Sequence, residues 1–188
     1  MLKILVPIAT GFEEIEAINM IDVLRRAGIN VIMGSLDENN LVKGAHGITI
    51  QTDRPIKGLT ADELDMILLP GGGGGTKALA SDPAVQALLK EMDAKGKNIG
   101  AICAAPYALY TAGVLKEGYT CYPGVENDIP VAGFSGDKHA VIVSGNVMTS
   151  RGPGTAICFG LAIVKKLLGQ SAYEKLRAGL LADYCETL

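Results

Sequence analysis

Cys103 lies where a strand-like apolar run meets an alanine-rich helical pattern, in the segment NIGAICAAPYALYTAG at 98–113. A thiol directly before a helix is close to the positive end of the helix dipole and to free backbone N–H groups, which can lower its pKa from about 8.5 toward about 3.5–7.5. Ala104 and Ala105 are small enough for a tight turn, and Pro106 suits a first helical turn. The segment predicts a reactive thiolate, although free cysteine is also commonly a buried hydrophobic residue.

Glu16 is the second candidate for chemistry, because helical spacing places it on the core face of the first predicted helix. Positions 16, 20, 23 and 27 read Glu, Met, Val and Ala, and they share one face at about 3.6 residues per turn. Burial raises a carboxyl pKa and favours the proton-donating form, whereas most first-turn glutamates are solvated. Thr10 and Glu13 are spaced as a capping box, and Glu14 can complement the helix dipole.

The glycine run GGGGGTK at 71–77 follows the third predicted strand. It fits neither the phosphate-binding P-loop pattern nor the dinucleotide-binding pattern GxGxxG. Two interpretations remain open and are about equally favoured. The run is either a loop whose backbone N–H groups bind an oxyanion, or a flexible strand-to-helix turn.

The remaining cysteines and the two histidines give weaker signals. Cys121, Cys158 and Cys185 are widely spaced, without a CxxC pair or a Cys/His cluster, so we expect neither a zinc site nor thioredoxin-like chemistry. Cys158 lies inside a helical pattern and is predicted to be a core residue. We expect a cytoplasmic location, where thiols stay reduced and a chain of this length needs no disulfide. His46 is predicted to be an exposed turn residue that could also reach a partner subunit's pocket, and His139 is assigned no role.

Length and charge limit the classes of function. The chain has 188 residues and a formal net charge of -3, which favours a single domain over 1–188. No cluster of basic residues indicates nucleic-acid binding, and no apolar run approaches the ~20 residues of a membrane span. The first residues, MLKILVPIATGFEE, are typical of a first β-strand and not of a signal peptide.

Apolar strand-like runs alternate with amphipathic helical patterns, which predicts a doubly wound α/β domain with a mostly parallel sheet and helices on both faces. The segment 41–53 alternates apolar and polar residues and predicts a β-hairpin at one edge of the sheet. Ligands bind beyond the carboxyl ends of such strands, so the loops after the first, third and fourth strands should meet. The predicted strands are 2–9, 29–36, 64–72, 98–103 and 140–145, and the predicted helices are 13–28, 76–95, 104–113 and 154–168.

Taken together, these motifs resemble the ThiJ/PfpI superfamily, specifically the branch of the Parkinson's-disease-linked deglycase and its bacterial relatives. The resemblance spans nearly the whole chain and implies a flavodoxin-like fold, a homodimer, and chemistry without a metal or organic cofactor. It rests on GFEEIEA at 11–17, RRAGI at 25–29, LPGG at 69–72, AICAAP at 101–106 and TSRGPGTA at 149–156.

The resemblance also implies roles for individual residues. Cys103 corresponds to the reactive cysteine in a nucleophile elbow, and Glu16 to the protonated glutamate that contacts its sulfur. Backbone amides around Gly72, Gly73 and Ala104 would form the oxyanion pocket.

Two positions depart from the pattern of the family. The protease-like branch has a histidine directly after the cysteine, where this chain has Ala104, so protease activity is disfavoured. The deglycase branch often has a histidine where this chain has Tyr122, and a phenol with a pKa near 10 is a poor general base at neutral pH.

Three hypotheses for function follow. The first is a glyoxalase or deglycase in which Cys103 attacks 2-oxoaldehydes such as methylglyoxal, or their protein adducts, while Glu16 transfers protons. The second is an oxidation sensor or redox-regulated chaperone that works through a sulfinic acid at Cys103. The third is a binding domain with an inert cysteine.

Overall fold

The computed structural model describes residues 1–185, and its centre is a seven-stranded sheet. The strands are β1 (Lys3–Ile8), β2 (Asn30–Ser35), β3 (Leu41–Lys43), β4 (Thr49–Gln51), β5 (Arg54–Pro55), β6 (Met66–Leu69), β7 (Asn98–Ile102), β8 (Val141–Ser144) and β9 (Val147–Ser150). The helices are α1 (Glu14–Arg26), α2 (Gly73–Ser81), α3 (Pro83–Ala94), α4 (Pro106–Thr111), α5 (Ala156–Leu168) and α6 (Gln170–Gly179).

The sheet has the strand order β5-β2-β1-β6-β7-β9-β8, and every neighbouring pair is parallel except β8 and β9. Alternate residues of β1 enter opposite cores: Ile4 and Val6 pack with α1, α5 and α6, whereas Leu5 belongs to the core with α3 and α4. The predicted doubly wound α/β fold with helices on both faces is therefore confirmed. Within 1–185, no helix is both long and apolar enough to cross a bilayer.

The segment predicted as one helix over 76–95 forms two helices, α2 and α3. Asp82 separates them, because its carboxylate accepts hydrogen bonds from the N–H groups of Ala84 and Val85 at 2.9 Å, and Pro83 occupies the first turn of α3. Strand β9 and helix α6 were not predicted. The first is only a short run after a turn, and the second has a mostly polar, exposed surface.

The predicted hairpin exists, but it is not hydrogen-bonded to the main sheet. Strands β3 and β4 form a separate two-stranded antiparallel sheet, and the edge strand next to β2 is β5. The hairpin instead covers the loop between β1 and α1, where Gly11 N–H donates to the Lys43 carbonyl and Ala45 N–H donates to the Phe12 carbonyl, both at 2.8 Å. It thus holds the segment that leads into Glu16.

The expectation of reduced thiols throughout is wrong for Cys158 and Cys185, which form a disulfide with a Cα–Cα distance of 5.1 Å. Helix α6 and the turn after it bring Cys185 back to α5, although the two cysteines are separated by 27 positions in the sequence. The buried hydroxyl of Tyr173 donates to the Cys185 carbonyl at 3.0 Å and also holds the segment around Cys185 against the helices. Cys158 is buried, as predicted, but it is a bonded residue, whereas Cys103 and Cys121 are free.

Candidate active site

Cys103 occupies a strained turn directly after β7. Its φ of +63° lies in the left-handed region, which costs a non-glycine residue about 1–3 kcal/mol unless the surroundings enforce it. The Cys103 N–H donates to the Ser150 carbonyl at 3.0 Å, and its own carbonyl accepts from the Tyr122 N–H at 2.9 Å. These two hydrogen bonds hold the turn from both sides and fix the position of the sulfur ahead of α4.

Glu16 is fully buried in the first turn of α1, on the core face that helical spacing predicted. Its Oε2 atom accepts a hydrogen bond from the Gly71 N–H at 2.8 Å, and the carboxyl group interacts with the Cys103 side chain. The Oε1 atom is buried and has no well-aligned hydrogen-bond partner among residues 1–185. The structure therefore brings together the two side chains that the sequence singled out.

The start of α1 differs from the predicted capping box. Glu13 is itself the N-cap, and its Oε2 atom accepts from the Glu16 N–H at 2.7 Å. Thr10 lies before the helix. Because the cap bonds directly to the backbone of Glu16, it orients the residue whose carboxyl group faces the sulfur.

The glycine run is packed tightly against the other two loops and is not a flexible turn. A Cβ atom on Gly71 would lie 2.6 Å from Glu16 Oε2 and 2.7 Å from Cys103 Cβ, so only glycine leaves room for their contact. Gly72 has a φ of +91°, and a side chain there would collide with the Gly11 carbonyl. The glycine run is therefore where the loops after β1, β6 and β7 come into close contact.

Two backbone N–H groups lie close to the sulfur of Cys103. The amides of Gly72 and Ala104 both interact with the Cys103 side chain and lower the pKa of its thiol. Gly73, the third residue expected to contribute, begins α2 and lies instead on the wall of an adjoining cavity together with Ala104. The structure thus places two of the three expected amides at the sulfur itself.

The pKa of Glu16 is raised to about 7, chiefly because burial penalises the charged form. The hydrogen bonds with Cys103 and the Gly71 N–H oppose this shift, and the negative charge of Glu13 adds to it. The expectation of a buried carboxyl group that holds its proton near neutral pH thus agrees with its surroundings.

The expected lowering of the Cys103 pKa is wrong. Burial raises the pKa of the thiol, and the negative charge and hydrogen bond of Glu16 raise it further, while the amides of Gly72 and Ala104 lower it only in part. Because each group opposes ionisation of the other, the two titrate as a coupled pair. A thiolate forms at this site when the shared proton moves to Glu16, which removes the charge that disfavours it.

The other candidate residues lie around this pair in different roles. The Tyr122 ring is half-exposed and lies over Gly152, where the expected family histidine would be. Cys121 is buried, with its Sγ atom 3.9 Å from Glu126 Oε2. His139 lies apart from the pair, on the wall of a cavity beside β8.

His46 lies in the hairpin turn with 71% of its side chain exposed, and its Nδ1 atom is 2.8 Å from Glu14 Oε2. The hydrogen bond with Glu14 raises the pKa of His46. Glu14 also accepts from the His46 N–H at 2.6 Å, so it anchors the hairpin and does not merely complement the helix dipole. The sequence did not reveal this pairing, because a separation of 32 positions carries no local signal.

Glu13, Glu14 and His46 are the residues of 1–185 whose ligand atoms could hold a metal ion, since these atoms lie within 4.8 Å of one another. Each carboxylate already accepts backbone hydrogen bonds, Glu13 from α1 and Glu14 from the hairpin. We therefore assign this cluster a structural role in joining the hairpin to α1.

The architecture and this pair of side chains match a known family. The model of the DJ-1/PfpI family matches residues 2–166. The chain belongs to this family. The match includes Glu16, the glycine run and Cys103.

Individual relatives agree over most of the chain. The glutathione-independent glyoxalase DJR-1.2 of Caenorhabditis elegans is 41% identical over 165 residues, which cover 87% of each chain. A deglycase of Pyrococcus abyssi is 32% identical over 167 residues, which cover 88% of this chain and 99% of the relative. The solved structure of oxidized Toxoplasma gondii DJ-1 superposes with a TM-score of 0.89 at 36% identity, covering 96% of this chain and 98% of that one.

Replacing Glu16 should change how stability depends on pH. The carboxyl pKa is 4.5 in the unfolded chain and about 7 in the folded one, so the folded state binds more protons between these values. The free energy of unfolding should therefore fall as pH rises through this window, by up to about 3 kcal/mol. Glu16→Gln, which can still accept from Gly71, should remove most of this fall in urea titrations at a series of pH values.

The raised pKa of His46 comes from Glu14 and Glu13 and is shared by both proteins, so the difference between the two profiles isolates Glu16. Parallel profiles for the two proteins would show that Glu16 is not held protonated by burial.

Proposed function

We propose that the chain is a cysteine-dependent, cofactor-free glyoxalase and deglycase that acts on 2-oxoaldehydes such as methylglyoxal or on their protein adducts. The observation that carries this proposal is the pairing of the Cys103 thiol with the buried Glu16 carboxyl group, beside the amides of Gly72 and Ala104. The activities named for the nematode and archaeal relatives support it.

In the first half of the reaction, sulfur adds to the aldehyde carbon. The Glu16 carboxylate takes the thiol proton as the Cys103 Sγ–carbon bond forms, and the C=O electron pair moves to oxygen. The N–H groups of Gly72 and Ala104, with Gly73 next to them, stabilise the resulting alkoxide. Protonated Glu16 then gives its proton to this oxygen, which leaves a neutral hemithioacetal and a carboxylate.

In the second half, Glu16 moves a proton between neighbouring carbons. Its carboxylate removes the hydrogen of the former aldehyde carbon as a proton and returns a proton to the former ketone carbon, while the hydroxyl proton on the first carbon passes to the former ketone oxygen. The first carbon is thereby oxidised to a thioester and the second is reduced to an alcohol. Water then hydrolyses the thioester, which releases a 2-hydroxy acid and restores the thiol. A carboxyl pKa of about 7 suits a group that must both accept and donate protons at neutral pH.

Cys103→Ala should reduce lactate formation from methylglyoxal to the uncatalysed rate in metal-free buffer, because no other described thiol lies beside Glu16. Cys121→Ala is the matched control and should keep wild-type turnover, since its thiol contacts Glu126. Lactate is measured by NMR after a fixed reaction time. Unchanged lactate production by Cys103→Ala would refute the mechanism.

A second candidate function is that of an oxidation-sensing stress protein or redox-regulated chaperone. The specific observation that favours it is the same carboxyl–sulfur pair, because a protonated Glu16 can hydrogen-bond a sulfinate at Cys103. Peroxide would supply both oxygen atoms and be reduced to water. The solved structure of an oxidized relative adds support.

Mild peroxide treatment should add two oxygen atoms to Cys103 before it changes Cys121. The reason is that amides and a proton donor can stabilise the product at the first residue, whereas the Cys121 sulfur faces the carboxylate of Glu126. Peptide mass spectrometry over a time course measures this order. Equal oxidation of both thiols would exclude a sensor built on Cys103.

We also propose that the chain forms a homodimer through α1 and the hairpin. Ile15 and Ile18 on the outer face of α1 are 53% and 42% exposed, and Ile48 in the hairpin is 57% exposed. The Ile48 N–H lies 3.4 Å from Glu14 Oε1, which places the hairpin next to the first turn of α1. An apolar surface shared by a helix and a hairpin suits a self-complementary contact between two copies.

Ile18→Lys should shift the protein toward the monomer, because it places a charge among the exposed apolar side chains of α1. Leu181→Lys changes another exposed apolar residue and is the matched control. Light scattering after size exclusion gives the mass of each species. A wild-type monomer at micromolar concentration, or an Ile18→Lys dimer as stable as wild type, would contradict the proposed interface.

A further inference from the structure

A cavity of about 510 Å³ opens beside the reactive thiol, between the start of α2 and the outer face of α4. Its walls include Gly73 and Thr76 from α2 and Tyr107 and Tyr110 from α4, and Ala104 also lines it. Lys77, Val125 and Asp128 complete the lining. We call this cavity the tyrosine groove.

The tyrosine groove begins next to the atoms that would hold the reacting carbonyl group. Ala104 directly follows Cys103, and Gly73 directly follows Gly72. The amides of Ala104 and Gly72 both reach the sulfur. A substrate bound covalently to Cys103 would therefore have this groove as a place for the rest of its carbon skeleton.

The groove is large compared with methylglyoxal, whose only substituent is a methyl group. Tyr107 and Tyr110 are half-buried, and their ring centroids are 6.1 Å apart with a tilt of 51°. Aromatic rings prefer tilted or offset contacts at such distances, so an aryl group can add a further favourable contact here.

Thr76 supplies a polar group that points to the same conclusion. Its side chain is only 3% exposed, and its Oγ1 atom has no hydrogen-bond partner among residues 1–185. A buried hydroxyl group without a partner is costly, so turning this side chain toward the groove, where a ligand could accept its hydrogen bond, breaks no existing hydrogen bond. The Thr76 N–H donates to the Gly72 carbonyl at 2.8 Å, so the hydroxyl lies one helical turn from an amide that reaches the sulfur.

We infer that the tyrosine groove receives the substituent on the ketone side of a 2-oxoaldehyde, and that this chain acts preferentially on aryl 2-oxoaldehydes. Thr76 would donate a hydrogen bond to the ketone oxygen, while the amides hold the former aldehyde oxygen. This inference rests on the proposed function for its reaction. Phenylglyoxal and water would give mandelate by the same internal transfer of a proton and an electron pair, with no external oxidant.

Alkylation of Cys103 tests the groove without requiring turnover. The probes are 2-bromoacetophenone and bromoacetone, which carry a ketone with an aryl or a methyl substituent. In both, the Cys103 sulfur displaces bromide from carbon, and the thiol proton goes to Glu16 and then to the buffer. Peptide mass spectrometry gives the rate at which each reagent modifies Cys103. The rate with the aryl reagent is divided by the rate with the methyl reagent, and this ratio is divided by the same ratio for free N-acetylcysteine to remove the intrinsic difference in reactivity.

The normalised ratio should be about tenfold in the wild-type protein, since two rings contact the aryl group. Tyr110→Leu should lower it about fivefold, and Tyr110→Phe, which keeps the ring, should leave it unchanged. Thr76→Val should slow both reagents about fivefold, because both carry the ketone, and Thr76→Ser should restore the rate. Circular dichroism and melting curves check that each variant is folded.

These measurements test the groove, the role of the Thr76 hydroxyl and the proposed function separately. A normalised ratio of one, or equal ratios for wild type and Tyr110→Leu, overturns the groove even if methylglyoxal is converted to lactate. A Thr76→Val protein that reacts as fast as wild type overturns the role of the hydroxyl. Selective alkylation in a protein that converts neither methylglyoxal nor phenylglyoxal supports the groove and overturns the proposed function.

Discussion

The structure depends on the contact between a buried carboxyl group and a buried thiol that compete for one proton. The pKa of Glu16 and that of Cys103 are both raised, because burial disfavours the charged form of each group and a negative charge on one disfavours a charge on the other. The strained backbone of Cys103, the cap that orients Glu16 and the glycine between them all serve to keep the two groups in contact. Reactivity here is a property of the pair and not of an unusually acidic cysteine.

Two glycines of the run at 71–77 have different roles at this pair. The Gly72 amide interacts with the Cys103 side chain and lowers the pKa of its thiol. Gly71 has a different task, since any side chain there would enter the space between the carboxyl group and the cysteine. The run therefore combines an amide beside the sulfur with a narrow gap between two side chains.

Sequence patterns predicted the parts of the site that depend on local periodicity. Helical spacing placed Glu16 on the core face, and the end of an apolar strand placed Cys103 at the correct edge of the sheet. The direction of the thiol pKa shift could not be predicted in this way, because it depends on a carboxyl group 87 positions earlier in the chain. The hairpin's separate sheet, the Glu14–His46 contact and the Cys158–Cys185 bond also join distant segments, and none leaves a periodic signal.

The backbone contacts of Cys103 have a consequence for the newly made chain. The turn is closed by a hydrogen bond to Ser150 on one side and to Tyr122 on the other, and β7 is completed by pairing with β9. On a ribosome, the cysteine emerges well before either partner, so it is at first an ordinary thiol in an open segment. Its special environment comes into being only when the later strand docks, which keeps unfinished chains from reacting as the mature protein does.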